Sequence, residues 1–251
     1  MPELPEVEIV KQSLEKKIRD KIIEKVVVKN RNLRFKIHSK FEKHLYKKKI
    51  TKVERFSKYL IIIFEDKSGF ILHLGMSGTV HLYHKNKKNI LTNTSFYHSL
   101  LLPDKHNHVE IHFKKIIFIY NDPRRFGYFS TFNNQIELKK KFNHFGPEPF
   151  SKSFNVDYII RYLKNKEKNI KSFLLDQKFI SGIGNIYASE ILYFSKIKPI
   201  RKAKSLTRSE CKRIFLYSKL VLKKAIERGG SSIRDFKNIL GKKGTFQKDF
   251  N

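Results

Sequence analysis

Acidic residues and cysteine are what this chain is short of. Only 23 of its 251 residues are Asp or Glu against 54 Lys and Arg, a formal charge of +31. Such a surplus, spread along the length rather than gathered in a tail, exceeds what solubility needs and suits a polyanion. Neutralising phosphates releases counterions, so nucleic-acid backbones are the natural partners. The joint abundance of Lys, Ile, Asn and Phe also fits an AT-rich genome, which accounts for part of the charge without function. One cysteine, Cys211, excludes an intrachain disulfide and a four-cysteine zinc site and makes the cytoplasm the default compartment. No stretch reaches about 18 uncharged apolar residues, and the N-terminus MPELPEVEIVKQSLEKK carries acids and no apolar h-region. Neither membrane insertion nor secretion is expected.

What is present reads as an α+β chain. Residues 5–18 form an opening helix: Pro5 suits the first turn, Glu6 and Glu8 suit its positive end, and Val7, Val10, Leu14 and Ile18 share a face. Short β-rich runs follow at 22–28, 59–64, 70–74, 109–113, 116–120 and 128–132, which predicts a two-layer β-sandwich. The domains expected are 1–132, a linker over 133–154 where HFGPEPFSKSFN concentrates Gly, Pro and Ser, and an all-helical domain over 155–251. Its clearest helix runs 208–228, with Ile214, Tyr217, Val221 and Ala225 on one face. Thr207 and Glu210 make a capping box there, and Gly229 a stop. Cys211 falls on that helix as a core residue rather than a nucleophile. Residues 91–105 read as a surface loop.

The first six residues carry the most chemistry. Removal of Met1 turns Pro2 into an N-terminal secondary amine, which titrates near ~8, well below lysine, and is partly unprotonated at neutral pH. Such an amine attacking an aldehydic sugar carbon gives an iminium ion, an electron sink for breaking neighbouring bonds. Glu3 beside it is placed to protonate a departing or ring-opening oxygen. A plain helix start explains PELPE equally well on local grounds. Elsewhere, Met76 reads alone as core filler, and Asp122-Pro123-Arg124-Arg125 as a β-turn with a salt bridge.

Five ordered segments, MPELPEVE (1–8), SKYL (57–60), HLGMSG (73–78), NDPRRFG (121–127) and GIGNIYASE (182–190), resemble the formamidopyrimidine-DNA glycosylase family. HFGPEP, GGSSIRDF and GKKGTFQ extend the resemblance over the chain, and Leu4, where the endonuclease-VIII branch has glycine, is similar to the oxidised-purine branch. The resemblance implies a bifunctional glycosylase and abasic-site lyase of base excision repair. It would act on 8-oxoguanine and formamidopyrimidines in damaged double-stranded DNA, as a cytoplasmic monomer with a helix–two-turns–helix element. Pro2 would attack C1′, Glu3 would act as the acid, and Lys58 would assist elimination and bind phosphate. Met76, Arg124 and Phe126 would fill the gap left by the flipped base, Arg124 reading the orphaned cytosine with its planar fork. Asn185 and the neighbouring backbone N–H groups would receive a phosphate at the helix–two-turns–helix element, whose first helix carries Lys171 as a further DNA-binding position, and His73 and His106 match strand-contacting positions.

The family usually ends in a four-cysteine zinc finger carrying an arginine tied to δ-elimination, whereas this chain stops at Asn251 where that finger would begin. No metal is therefore expected, base excision and β-elimination are, and δ-elimination is not assigned. A second departure is Glu167, where many relatives carry lysine, with Lys166 and Lys168 as neighbours to substitute. A protein that binds damaged DNA without cutting it is the alternative, but binding alone does not call for an N-terminal proline.

Overall fold

The computed structural model describes residues 1–85 and 103–230. Most of the expected loop at 91–105 and all but the start of GGSSIRDF lie outside the described residues, as does GKKGTFQ. The chain divides into two compact units, the first built mainly from Met1–Lys140 and the second from Lys141–Glu227.

The first unit opens with α1 (Leu4–Ile18) and continues through β1 (Lys25–Val28), α2 (Phe41–Leu45), β2 (Ile50–Phe56), β3 (Tyr59–Phe64), β4 (Gly69–His73), β5 (Thr79–His84), β6 (Asn107–His112), β7 (Ile116–Asn121) and β8 (Tyr128–Phe132). Among the described residues these strands make two four-stranded antiparallel sheets, ordered β1-β6-β7-β5 and β2-β3-β4-β8. Leu60, Ile62, Phe70, Leu72 and Phe129 of one sheet share a core with Val80, Leu82, Ile111, Phe118 and Tyr120 of the other. The Tyr120 ring stands edge-on to Phe129 with centroids 5.1 Å apart. The predicted stripe Val7, Val10, Leu14 and Ile18 of α1 joins that core, as helical periodicity requires.

Two strands escaped the sequence pattern. In β2 the apolar positions Ile50, Val53 and Phe56 are spaced by three, a helical interval, because the register against β3 slips between Ile50 and Lys52. The bulge lets Ile50 and Val53 both reach the core. In β5, Val80 and Leu82 alternate properly, but Thr79 and His81, the buried residues on either side of Val80, bond to each other at 2.7 Å and hide the alternation.

The stretch 133–154, expected as a linker, holds α3 (Gln135–Phe142), and the chain passes from the first unit to the second inside it, after Lys140. Its start is set by side chains. Asn134 Oδ1 accepts from Glu137 N at 2.9 Å, and Glu137 Oε2 accepts from Asn133 N at 2.8 Å, a reciprocal cap that the Gly/Pro content farther along obscures. The second unit continues with α4 (Val156–Leu163), α5 (Ile170–Leu175), α6 (Asn185–Phe194) and α7 (Arg208–Glu227). The capping box at Thr207 and Glu210 is formed in both directions, at 2.8 and 3.2 Å. Gly229 beyond α7 adopts φ +78°, the left-handed conformation of a helix stop. Cys211 is buried in the helix's apolar stripe.

Truncating Leu72, central in the sandwich, should lower the free energy of unfolding. Leu72→Ala is expected to cost about 2–5 kcal/mol in urea denaturation, with the denaturant slope unchanged.

Candidate active site

The opening helix fixes the chain's first residues. Glu3 is the N-cap of α1, extended at φ −102° and ψ −172°, with proline in the first turn. Its N–H donates to Glu6 Oε2 at 2.9 Å, so Pro2 projects one peptide away from a capped helix end. Glu3 and Glu6 are buried.

Lys58 reaches them from the hairpin between β2 and β3. β2 and β3 are joined by the two-residue loop Ser57-Lys58, and Ser57 takes φ +54°, the left-handed conformation that tight hairpins favour at their first loop residue. Arg55 braces this loop against α1: its Nε donates to Glu8 Oε2 at 2.9 Å and its Nη1 to the Ser57 carbonyl at 3.0 Å. Burial would raise the Glu8 pKa, but hydrogen bonds from Arg55 and Gln12 outweigh it and hold the carboxyl below its ordinary range. The Lys58 side chain is buried, which pushes its ammonium below the ordinary lysine range, while the charges of Glu3 and Glu6 pull it partly back. Pro2, Glu3 and Lys58 thus form one neighbourhood, to which the structure adds Glu6. Glu6 reads in the sequence only as a helix-dipole residue.

An open cleft of about 620 Å³ brings Met1 together with His73, Met76, Arg124 and Phe126 of the expected set, and adds Arg34 and Arg125. Met76 and Phe126 are each 40% exposed, so neither serves as core filler. The Arg124 guanidinium lies over the Phe126 ring, 4.6 Å from its centroid, a cation–π pair that orders both side chains. Arg34 enters through its backbone, donating to the Gly127 carbonyl at 3.2 Å. Nothing in RNLRF flags it in sequence.

Two loops carry these side chains, and they touch because of glycine. A Cβ on Gly75 would stand 2.4 Å from the Phe126 carbonyl carbon, and one on Gly127 only 1.8 Å from the Tyr120 hydroxyl. Beneath them Asp122 is fully buried. The turn expected at 122–125 is present, Arg125 N donating to Asp122 O at 3.2 Å. In place of a salt bridge, however, the described partners of the Asp122 carboxylate are hydroxyl and backbone N–H donors.

His73 is 8% exposed, on the β4 end of the cleft, between Tyr59 and Tyr128 with ring centroids at 4.8 and 5.6 Å. Gly75 N donates to its Nδ1 at 3.1 Å, leaving Nε2 to carry the proton of the neutral ring. Burial, then the charges of Lys58 and Arg34, lower its pKa to about 4. His106 does not line the cleft. It accepts at its carbonyl from Asp122 N at 3.0 Å, and burial with neighbouring Lys105 and His108 lowers its pKa against the pull of Asp122.

Lys171 and Asn185 belong to the second unit, where the structure places them at one helix end. α6 begins at Asn185 with Gly184 as N-cap. Lys171 Nζ donates to Ser189 Oγ at 3.0 Å, and that hydroxyl donates to the Asn185 carbonyl at 2.9 Å. The turns before α6 are pinned by Gln177, which sequence reasoning missed: its Oε1 accepts from Gly182 N and its Nε2 donates to Ile183 O, each at 2.8 Å. A helix N-terminus with a lysine beside it is suited to a phosphate. Glu167 is committed to Lys202, at 3.2 Å, and Lys204.

A four-cysteine zinc centre does not fit these residues. The sole cysteine is buried on α7, and among the described residues no three His, Cys, Asp or Glu side chains converge on a point. No described helix is long and apolar enough to cross a membrane.

The low His73 pKa has a sign that can be checked. The unfolded chain takes up the proton at about 6.5 and the folded one only near 4, so stability is full above about 6.5 and falls as pH drops towards 4. Proton NMR should place the His73 midpoint near 4, and His73→Gln should flatten that part of the stability profile. A midpoint above 6 would contradict the burial argument.

Residues 1–129 match the model of the formamidopyrimidine-DNA glycosylase N-terminal domain, and residues 145–237 that of the formamidopyrimidine-DNA glycosylase H2TH domain. The formamidopyrimidine-DNA glycosylase of Wolbachia pipientis wMel is 40% identical over 252 residues, covering 100% of this chain and 87% of the relative. That of Legionella pneumophila strain Philadelphia 1 is 39% identical over 248 residues, covering 98% and 85%. Among solved structures, a mutant of Lactococcus lactis FPG bound to DNA containing Fapy-dG superposes with a TM-score of 0.87 at 30% identity, covering 99% of this chain and 86% of that one. MutM bound to DNA containing carbocyclic 8-oxo-G gives 0.85 at 32% identity, with the same coverage. The chain belongs to the formamidopyrimidine-DNA glycosylase family.

Proposed function

We propose that this protein is a bifunctional DNA glycosylase and abasic-site lyase of base excision repair, removing oxidised purines from duplex DNA through a Schiff base at Pro2. The observation that carries the reading is the cleft, where the residue peptide-bonded to Pro2 shares a wall with His73, Met76, Arg124 and Phe126. Removal of Met1 uncovers the Pro2 nitrogen beside that space. Relatives bound to lesion-containing DNA support the substrate class.

The chemistry follows from the groups present. The Pro2 nitrogen forms a bond to C1′ as the N-glycosidic bond breaks, and the base departs with the electron pair and acquires a proton. Glu3, next in the chain and buried, is the acid that protonates the opening sugar oxygen. Loss of a proton from C2′ of the iminium then expels the 3′ phosphate, which is β-elimination, and water hydrolyses the imine to free Pro2. Lys58 bears its charge near this sugar, assisting elimination and holding phosphate. Flipping costs a few kcal/mol of stacking and pairing. Met76 and Phe126 repay part of it in the vacated space, and Arg124 reads the orphaned cytosine.

Lys171 and Asn185 supply a second phosphate contact, and His73 offers its Nε2–H to the strand. His106 faces the strand beside the 122–127 loop. We take the protein to act as a cytoplasmic monomer and to use no metal in this chemistry, since every step runs on its own amine, acid and lysine.

The methionine-free protein should give a borohydride-trapped covalent adduct with a duplex bearing 8-oxoguanine opposite cytosine. Blocking the Pro2 nitrogen should reduce trapping at least about a hundredfold, while binding to the duplex stays within a few-fold. A blocked protein that still forms the adduct would sink the assignment of Pro2. Binding should also fall steeply with salt, by more than about tenfold between 50 and 200 mM.

A further inference from the structure

We infer that Asp122 and Ser77 are positioning residues that lock the Met76 loop and the Arg124–Phe126 loop into a single rigid probe of the gap left by a flipped base. The inference rests on the void-filling role proposed above for Met76, Arg124 and Phe126.

Ser77 follows Met76 and is itself buried. Its hydroxyl donates to Asp122 Oδ1 at 2.5 Å and accepts from Arg124 N at 3.3 Å, so one side chain of the first loop fixes two residues of the second. Asp122 Oδ1 also accepts from Arg124 N at 3.3 Å, and its Oδ2 from Gly127 N at 2.9 Å, which brackets the segment holding Arg124, Arg125 and Phe126. The Tyr120 hydroxyl donates to Oδ2 at 2.9 Å and lies 3.4 Å from the Leu74 carbonyl, at the start of the Met76 loop. The main chain of Asp122 is held as firmly: its carbonyl accepts from His108 Nε2 at 2.7 Å, and its N–H donates to His106 O at 3.0 Å. A fully buried carboxylate with several donors aimed at it is costly to leave half-satisfied, so each bond adds to the rigidity of the whole.

The arrangement has a functional consequence beyond stability. Met76, Arg124 and Phe126 are exposed, and although Arg124 and Phe126 also order each other, the spacing between the two loops that carry all three is set by the buried network beneath. A probe assembled before DNA arrives needs no ordering at the moment of flipping. The network should therefore matter for duplex substrates, where a gap must be filled and a partner base read, and not for an abasic site in a single strand, which Pro2 can attack without either.

The test compares wild type, Ser77→Ala and Asp122→Asn on two substrates, with thermal melting as a control on folding. Excision of 8-oxoguanine from duplex should fall about tenfold to a hundredfold in both variants, as expected for loss of a buried charge-assisted bond. The preference for cytosine over adenine opposite the lesion should narrow with it. Borohydride trapping at an abasic site in single-stranded DNA should stay within about twofold of wild type, because the chemistry at Pro2 is intact. Should Asp122→Asn fail to fold, Ser77→Ala carries the comparison, since it removes one hydroxyl and leaves the carboxylate its other donors. Ser77→Ala with unchanged duplex excision and unchanged partner preference overturns the inference, as does an equal loss on single-stranded abasic DNA. A wild-type protein that traps neither substrate overturns instead the glycosylase and lyase reading.

Discussion

The closest constraint in the molecule is steric: two loops of the sandwich cross where no side chain fits. Gly75, Gly78 and Gly127 stand at that crossing, and any Cβ there would run into backbone or the Tyr120 hydroxyl at 2.6 Å or less. Tight crossing brings the Met76 loop over the 122–127 segment, and this is what places Ser77 within reach of Asp122. It also aims Met76 and Phe126 outward, though either side chain would otherwise find a home in a core. Exposure of large apolar groups costs stability in water, so a site that displays two of them on glycine-enforced loops is arranged for a partner that covers them.

Electrostatics act in the opposite sense at the heart of the site and at its margin. The chain as a whole is strongly basic, yet the neighbourhood of Pro2 gathers Glu3 and Glu6 around a buried Lys58. Burial alone would drive that lysine towards neutrality, and the two carboxylates restore part of its charge. The result is a lysine held close to acids in a protected place, with its pKa below the ordinary range. His73, nearby, feels burial and the positive charges of Lys58 and Arg34 and stays neutral. A neutral imidazole with its Nδ1 occupied by Gly75 N is a one-way donor through Nε2, well matched to a phosphate or sugar oxygen. General basicity attracts DNA at long range, while the local balance of charge decides which groups can exchange protons.

Much of this was legible in sequence, and the illegible parts have physical causes. Strand β3 and strand β8 fall where their runs rich in β-branched and aromatic residues predict, at 59–64 and 128–132. Helix α1 is one residue longer than its periodicity suggested. β2 was hidden because a bulge converts an alternating pattern into one of threes, and β5 because buried Thr79 and His81 satisfy each other rather than facing water. Motif residues such as Met76 and Arg124 stood out through the company of other segments, whereas Arg34 had none: its role depends on a backbone bond to Gly127 and on sharing the cleft, neither of which leaves a composition signal. Asp122 was visible only as a turn residue. Its position as a hub follows from tertiary placement of Ser77 and Tyr120, which a linear pattern cannot encode.

The N-terminal octapeptide shows how one short string serves folding and chemistry at once. Glu6 closes the helix start by accepting from the N–H of Glu3, and proline in the first turn costs no hydrogen bond there. Both features are ordinary helix-capping devices, sufficient to explain the residues on local grounds. Their joint effect is that Pro2 is attached to a rigid, buried anchor rather than to a fraying end, the usual state of a chain terminus. An amine on a loose terminus would lose much of its advantage to conformational entropy, whereas one fixed a single peptide from a capped helix and braced by the Arg55–Glu8 contact meets its target with little left to order. The helix-start explanation and the proposed catalytic one are therefore complementary: the cap fixes the residue to which Pro2, the proposed nucleophile, is joined.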